Sequence, residues 1–388
     1  MTDSIYKGRA QKEENEKLVS MINTVFAPKD STRFDFRKTL PKLYKTEYNP
    51  ALNNMIVREG DDIKGAVGVF YEDLTVGSNT LRCGGVGNVA VSLDSRGKGY
   101  MSDCMNLALD DMIKSNADLS YLGGQRQRYA YYSYEHGGFY YNYNISKTNI
   151  RHAFKNEIYT DFEAVPVKPG NTALIKKMYN LYLTKAYRFN RPFDKFYDCL
   201  CSWRSLPYVL LKNGEFKGYF TYGEGMDYVL EFMLLDYSDI KHAFLALLKH
   251  AKEGSVNVPV APFHNEVLHF LSETAELCSI ESSTNMTVFN FRNTLYALLC
   301  NKAEFTPLID TECTFLIDGY ANKENLHIKV KNNNITVDYT DKKADIELSH
   351  LSAIRLFFGI SPIRVDNLPK SFAALLPIPF FIPAADNV

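Results

Sequence analysis

The stretch NVAVSLDSRGKGYM, residues 88–101, runs from an apolar, strand-like segment through a polar turn into Arg96, Gly97, Lys98 and Gly99, and passes straight into a helical pattern. Met101, Met105, Leu109 and Met112 recur at helical spacing, so the residues after Gly99 read as a helix lying on a sheet. A helix N-terminus presents unpaired N–H groups and the positive end of a dipole, and glycines let a bulky anion reach those amides. Arg96 and Lys98 add positive charge, so the turn reads as a cradle for a diphosphate. A tight strand-to-helix turn with solvated cations satisfies the same pattern.

The context separates these readings. NNMIVREG, DDIKGAVGVFYEDL and NTLRCGGVGNVAVSL precede the loop as apolar runs broken by polar or glycine turns, the signature of successive antiparallel strands. A Rossmann-type dinucleotide loop instead follows the first strand of a parallel unit. DLSYLGG, residues 118–124, reads as a buried strand after the helix, and QKEENEKLVSMINTVF, residues 11–26, as an amphipathic surface helix.

The chain of 388 residues is long enough for two or three domains. With 46% hydrophobic and 23% charged residues and a formal net charge of −1, it is globular and has no global basic excess, so nucleic acid is not an expected partner. Seven scattered cysteines read as reduced thiols of a cytoplasmic protein, and Cys199 with Cys201 lacks the second pair that a four-ligand zinc site needs, so no metal is expected. The apolar run LPIPFFIPAA is cut by prolines and too short to span a bilayer, and the first residues lack the apolar core of a signal peptide, so no membrane association is expected.

A second segment opens near residue 157, with PGNTALIKKMYNLYLTKAYRF read as one long helix and RPFDKFYDCLCSW as another. Strands PYVLLKN, EFKGYFTYGE and DYVLEFMLLD follow, then the helix SDIKHAFLALLKHAKEGS, opened by Ser238 and Asp239 and closed by Gly254. This order repeats that of the first segment without a glycine-rich loop. From about Met286 the pattern changes to short alternating strands with Asn-rich turns and the helix HLSAIRLFFGI, a separate α+β unit. Its last residues, LPKSFAALLPIPFFIPAADNV, stay apolar where a free tail is ordinarily polar, so other parts of the chain are expected to bury them.

VAVSLDSRGKGYM resembles the acetyl-CoA loop of the GNAT acetyltransferases, in which loop amides hold the pyrophosphate and the preceding strand pairs with the pantetheine arm. Arg96, Gly97, Gly99 and Tyr100 occupy the family's places, and Met101 stands where many members have Gly or Ala. That departure, together with NMTVFNFRNTLYALL and the strand-rich stretch from CTFLIDGY to LFFGIS, resembles the Eis-like (enhanced intracellular survival) branch. The resemblance implies an α/β (α+β) fold of two tandem GNAT-type mixed-sheet domains, at 1–156 and a degenerate one at 157–285, followed by a sterol carrier protein-like α+β domain at 286–388. It implies acetyl-CoA as co-substrate, bound through Val89, Val91, Arg96, Gly97, Lys98, Gly99, Tyr100 and Met101. It also implies a homo-oligomer, a hexamer in that branch.

Direct acetyl transfer needs a neutral amine, a stabilised oxyanion and a proton for the departing thiolate, with no covalent acyl-enzyme. GGQRQRYAYYSYEHGGFYY, residues 123–141, is crowded with tyrosines that can supply that proton. The branch's Tyr-x-x-Phe-Gly-Tyr pattern places the acid at Tyr129, with Tyr132 and Ser133 replacing Phe and Gly; the wider family's Tyr-x-x-x-Gly-Phe matches Tyr134 instead. For the base, Asp94, Asp103, Glu135 and His136 lie near, but the branch uses its own C-terminal carboxylate, which places the base at Val388. Cys104 reads as packing. The expected substrate is a primary amine on a cationic small molecule or a lysine side chain; a carrier of apolar ligands with a vestigial acetyltransferase half is the alternative.

Overall fold

The computed structural model describes residues 5–27, 34–223, 227–251, 254–361 and 363–388. The three Val-, Ile- and Gly-rich runs before the loop form antiparallel strands β2 (Asn54–Glu59), β3 (Asp62–Val76) and β4 (Asn79–Val91), with β1 (Ile5–Arg9) on the outer edge. Most of β3 and β4 is buried on both faces, which explains their nearly continuous apolar sequence. One face meets the helix Tyr100–Lys114, whose Cys104, Met105, Ala108, Leu109 and Met112 are buried as the spacing predicts. The helix delivers the chain to β5 (Leu119–Leu122), parallel to β4.

The sheet does not stop at the edge of this first unit. Its strands run in the order β1-β2-β3-β4-β5-β13-β6-β12-β11-β10-β9-β7, with β8 (Tyr187–Phe189) pairing on β3. Here β6 is Glu135–Ser146, β7 Phe162–Pro166, β9 Ser205–Lys212, β10 Glu215–Gly223, β11 Tyr228–Leu234, β12 Ser255–Val260 and β13 Leu277–Val288. β13 lies between β5 and β6, antiparallel to both, and it runs through positions 285 and 286. β6 carries β13 on one edge and, from Tyr141 to Ser146, β12 on the other, so the sheet continues from the first segment into the second.

A second sheet, in the order β16-β15-β14-β17, is built from β14 (Thr311–Asp318), β15 (Lys323–Lys331), β16 (Asn334–Tyr339) and β17 (Ile346–Ser349). Alternate residues Leu326, Ile328 and Val330 point into its core. That core is continuous with the first sheet: Tyr121 and Met286 pack in one cluster with Phe315, Ile354, Phe357 and Phe380.

Two sequence expectations need correction: the helix read from Ser238 to Gly254 covers only Ile240–Leu248, with residues 252 and 253 outside the described ones and β12 beginning at Ser255, and the long helix that opens the second segment is broken. Residues 169–189 are not a single helix: Asn171 caps a helix over Thr172–Tyr182, and Tyr187 and Phe189 then turn inward as β8, opposite Val76 and Leu74. The sheet offered an unpaired stretch of β3 and an apolar cluster to fill, and this tertiary pairing overrode the helical pattern.

Candidate active site

The site begins where β4 and β5 part. Their parallel pairing covers Cys83–Val86 against Leu119–Leu122, after which β4 continues through Gly87–Val91 with β3 alone beside it among the described residues. The bend comes from a bulge: Asn88 and Val89 oppose the single Val67, and Asn88 takes a left-handed φ of 40°. Asn88 is buried and held from both ends, accepting from the Tyr44 hydroxyl and donating through Nδ2 to Asn54 Oδ1 at 2.7 Å. Val89 and Val91 lie half-buried on the diverging edge.

The loop after β4 reaches the helix through two left-handed residues, Gly97 at φ 85° and Gly99 at φ 84°. A Cβ at either would meet nothing within 4 Å, so the glycines are set by backbone conformation and leave bare main chain facing outward. The helix's first backbone bond runs from the Asp103 N–H to the Gly99 carbonyl, leaving the amides of Tyr100, Met101 and Ser102 without an intrahelical acceptor. Arg96 is exposed. Lys98 is turned back onto Glu59 at 2.8 Å, where the Tyr100 hydroxyl also donates, and these two hydrogen bonds hold the Glu59 carboxyl below its ordinary pKa. Tyr100 is buried and Met101 half-buried.

The two candidate tyrosines differ sharply. A short helix over Arg126–Ala130 ends in a reciprocal pair of bonds, Tyr134 N–H to the Tyr129 carbonyl at 3.1 Å and Ser133 N–H to the Ala130 carbonyl at 3.1 Å. This is a Schellman closure, which needs a left-handed residue next to last; Ser133 supplies it at φ 64°, where the family pattern has Gly. The rings of Tyr129 and Tyr134 meet edge to face at 6.5 Å as the apolar contact of that motif. Ser120 Oγ donates to the Gly84 carbonyl at 2.6 Å, so the Tyr134 hydroxyl must donate to Ser120 at 2.7 Å; its proton is spent inside the core. Tyr129 packs against Gly124, and burial raises its pKa and keeps its hydroxyl protonated.

Gly124 also lines a cleft of about 330 Å³ into which the chain's last residues enter, with His136, Trp203, Asn285 and Val388 on its walls. Val388 lies on β4 at two glycines: a Cβ at Gly85 would stand 2.9 Å from Val388 Cγ1, and one at Gly87 3.3 Å from the Val388 carboxyl carbon. The tail is pinned along its path. Phe139 N–H bonds the Phe380 carbonyl at 2.9 Å, the Tyr187 hydroxyl bonds the Phe381 carbonyl at 2.9 Å, and buried Lys42 donates to the Ala385 carbonyl at 2.7 Å. Beneath the end of the tail, Arg191 joins Asp386 and Glu231, all three buried, with its guanidinium 4.3 Å from the Tyr182 ring. Burial would raise the Glu231 pKa, but the Arg191 charge beside it wins and holds the carboxyl ionised.

The side-chain carboxylates considered as bases are otherwise engaged. Glu135 is buried between Arg126 and Arg355; burial pushes its pKa up, but the bonds from both guanidiniums and from the His136 N–H bring it down to about 2. Asp94 pairs with Lys64 at 2.9 Å and Asp103 with Lys7 at 2.8 Å. His136 faces the cleft, and burial lowers its pKa. Sequence reasoning missed Arg191, Glu231, Lys42 and Trp203, and no local pattern marks them, because their partners lie far along the chain.

Residues 8–141 match the model of the acetyltransferase (GNAT) domain family. They form a GNAT acetyltransferase domain. The whole chain also superposes on solved structures of low sequence identity. A GCN5-related N-acetyltransferase from Kribbella flavida aligns with TM-score 0.68 and 16% identity, over 97% of this chain and 96% of that one. One from Anabaena variabilis gives TM-score 0.62 and 14% identity, over 91% and 90%. Eis1 from Mycobacterium abscessus gives TM-score 0.61 and 13% identity, over 99% and 100%. A search of curated proteins finds no match. The GNAT domain makes the protein an acetyltransferase, and the fork between β4 and β5 with the glycine loop is the part of the domain described above. No described helix is long and apolar enough to cross a membrane.

Proposed function

We propose that the protein transfers an acetyl group from acetyl-CoA directly to a primary amine, of a small cationic molecule or a lysine side chain. In this reading the amides and charge of the Arg96–Met101 loop hold the pyrophosphate, and the free edge at Val89 and Val91 pairs with the pantetheine arm. The thioester lies where β5 leaves β4. Tyr129 protonates the departing thiolate, and the Val388 carboxylate takes the proton from the ammonium. The observation that carries it is convergence: the fork, Gly124 with Tyr129 behind it, and the end of the tail meet at one cleft. Tyr134 is the weaker candidate because its proton already bonds Ser120.

The same reading takes the chain as two GNAT-type units, 1–156 and 157–285, and a sterol carrier protein-like unit, 286–388, in a cytoplasmic homo-hexamer of the Eis-like kind. A carrier role for the last unit draws less support, since Phe372, Ile378 and Phe380 from its own tail pack in its core. The test is thiol release from acetyl-CoA with amines of several classes, comparing the intact chain with one lacking Val388. Amine-dependent release that collapses on truncation, with acetyl-CoA affinity unchanged, is expected; release that survives truncation overturns the base assignment.

A further inference from the structure

Trp203 is the chain's one tryptophan, and its backbone is in an unfavourable place. Trp203 and Arg204 are consecutive left-handed residues, at φ 58° and 57°, and neither is Gly, Asn or Asp. Such strain persists only where the surroundings over-determine it, and it clusters at functional sites. Here the clamp is visible: buried Ser202 donates to the Asp198 carbonyl at 3.0 Å, and the buried Ser205 hydroxyl shares its one proton between the Leu200 carbonyl and the Ser202 carbonyl, the latter at 2.9 Å. The clamp holds a half-buried indole on the wall of the cleft that receives Val388, and both residues pack on the same apolar cluster.

The charge of that wall is as informative as its ring. Among the described residues no Asp or Glu side chain lines the cleft; beside His136 and the single carboxylate of Val388, its polar groups are hydroxyls and amides such as Ser282, Ser283 and Asn285. The Ser283 oxygen accepts from the Ile382 N–H at 2.8 Å, a bond that does not use its own proton. A polycation would leave its remaining charges unmatched there. A volume of about 330 Å³ is at the low end for small-molecule sites.

We propose that Trp203 is the aromatic wall that receives the acceptor's ammonium, and that the acceptor carries a single primary ammonium on a small, uncharged polar body. The assignment rests on the acetyl-transfer reading for its setting. An ammonium over an indole face is attracted by the ring quadrupole, Trp being the strongest such partner, and the Val388 carboxylate stands in the same cleft to take its proton.

The test uses the full chain and three probes: Nα-acetyl-lysine amide with one ammonium, spermidine and kanamycin. Trp203→Asn keeps a residue that tolerates left-handed backbone, and Trp203→Phe keeps a ring. The expected result is a fivefold or greater rise in the KM for the lysine amide in Trp203→Asn, substantial recovery in Trp203→Phe, an unchanged KM for acetyl-CoA in both, and wild-type preference for the lysine amide over the polycations. An unchanged amine KM in Trp203→Asn overturns the proposal, as does wild-type preference for spermidine or kanamycin. If no amine is acetylated, the transfer reading fails separately. Titration of wild-type Trp203 fluorescence then still decides: a saturable change with the lysine amide upholds the ammonium site, and no change with any amine overturns it.

Discussion

Arg191 meets Asp386 through two parallel bonds, Nε to Oδ1 at 2.7 Å and Nη2 to Oδ2 at 2.8 Å, and thereby fixes the backbone two residues before Val388. Nη2 also reaches Glu231 Oε2 at 2.8 Å, so one cation bridges two buried carboxylates. Removing it leaves both charges buried and unpaired. Arg191→Ala is expected to cost about 3–5 kcal/mol of folding stability, measured by urea denaturation; a loss below about 1 kcal/mol contradicts the burial of the network.

The loop glycines allow a cleaner separation of binding from folding. Gly97→Ala and Gly99→Ala place a methyl group in open space, so the folding cost is limited to left-handed strain of about 1–2 kcal/mol each. The backbone relaxes away from the conformation that bares the amides, and acetyl-CoA affinity is expected to fall at least tenfold. Calorimetric titration with acetyl-CoA reads this directly, and unchanged affinity removes the pyrophosphate from this loop.

Ser133 occupies the left-handed place that its closure motif assigns to glycine. Ser133→Gly is expected to raise stability by about 0.5–1 kcal/mol through relief of that strain, offset in part by the extra freedom of glycine in the unfolded chain. Thermal melting of the variant checks it: a lower midpoint means the Ser133 side chain makes a contribution that the backbone argument omits.

The two tyrosines make opposite predictions. Tyr129→Phe is expected to lower kcat by about 10²-fold or more with little change in stability. Tyr134→Phe is expected to cost about 1 kcal/mol of stability by stripping Ser120 of its donor, with a smaller effect on kcat. Parallel steady-state kinetics and melting distinguish them, and a reversal of the kcat effects moves the acid to Tyr134.

Acid should loosen the fold in two stages. Burial lowers the pKa of His350 to about 4 and that of His264 to about 3, both below the ordinary value near 6.5. The unfolded chain therefore binds protons that the native state refuses, and stability falls as pH drops below about 6.5. His350 accepts from the Tyr320 N–H at Nδ1 and so donates through Nε2 to Thr287, the neutral tautomer. Glu135, held near 2, has its stabilising contribution intact above its ordinary pKa and loses it as pH falls from about 4.5 toward 2. Denaturation midpoints between pH 7 and 3 test this; His350→Gln should flatten the upper part of the slope.

What the sequence made legible follows the range of the interactions. The helix behind Gly99 and the hairpins of β2, β3 and β4 depend on spacing within a dozen residues, and their patterns were plain. The loop's glycines were identifiable for the same reason. Tyr187 and Phe189 read as helix in the sequence because their partners on β3 are far away along the chain. Arg191 looked like any surface arginine, since Glu231 and Asp386 are 40 and 195 positions away. Trp203 gave no signal, because left-handed φ at two bulky residues cannot be seen in residue types that normally avoid it.

The placement of β13 bears on how the molecule can be made. The first unit's sheet lacks a member until Leu277–Val288 arrives, so during synthesis β5 and β6 stand as bare edges while more than a hundred residues of the second segment emerge. Bare edges pair with other chains, and contacts between such distant residues form slowly. The nascent chain should therefore lean on chaperones over this interval, and a fragment ending at residue 156 should aggregate where one extended through β13 and the units beyond it does not.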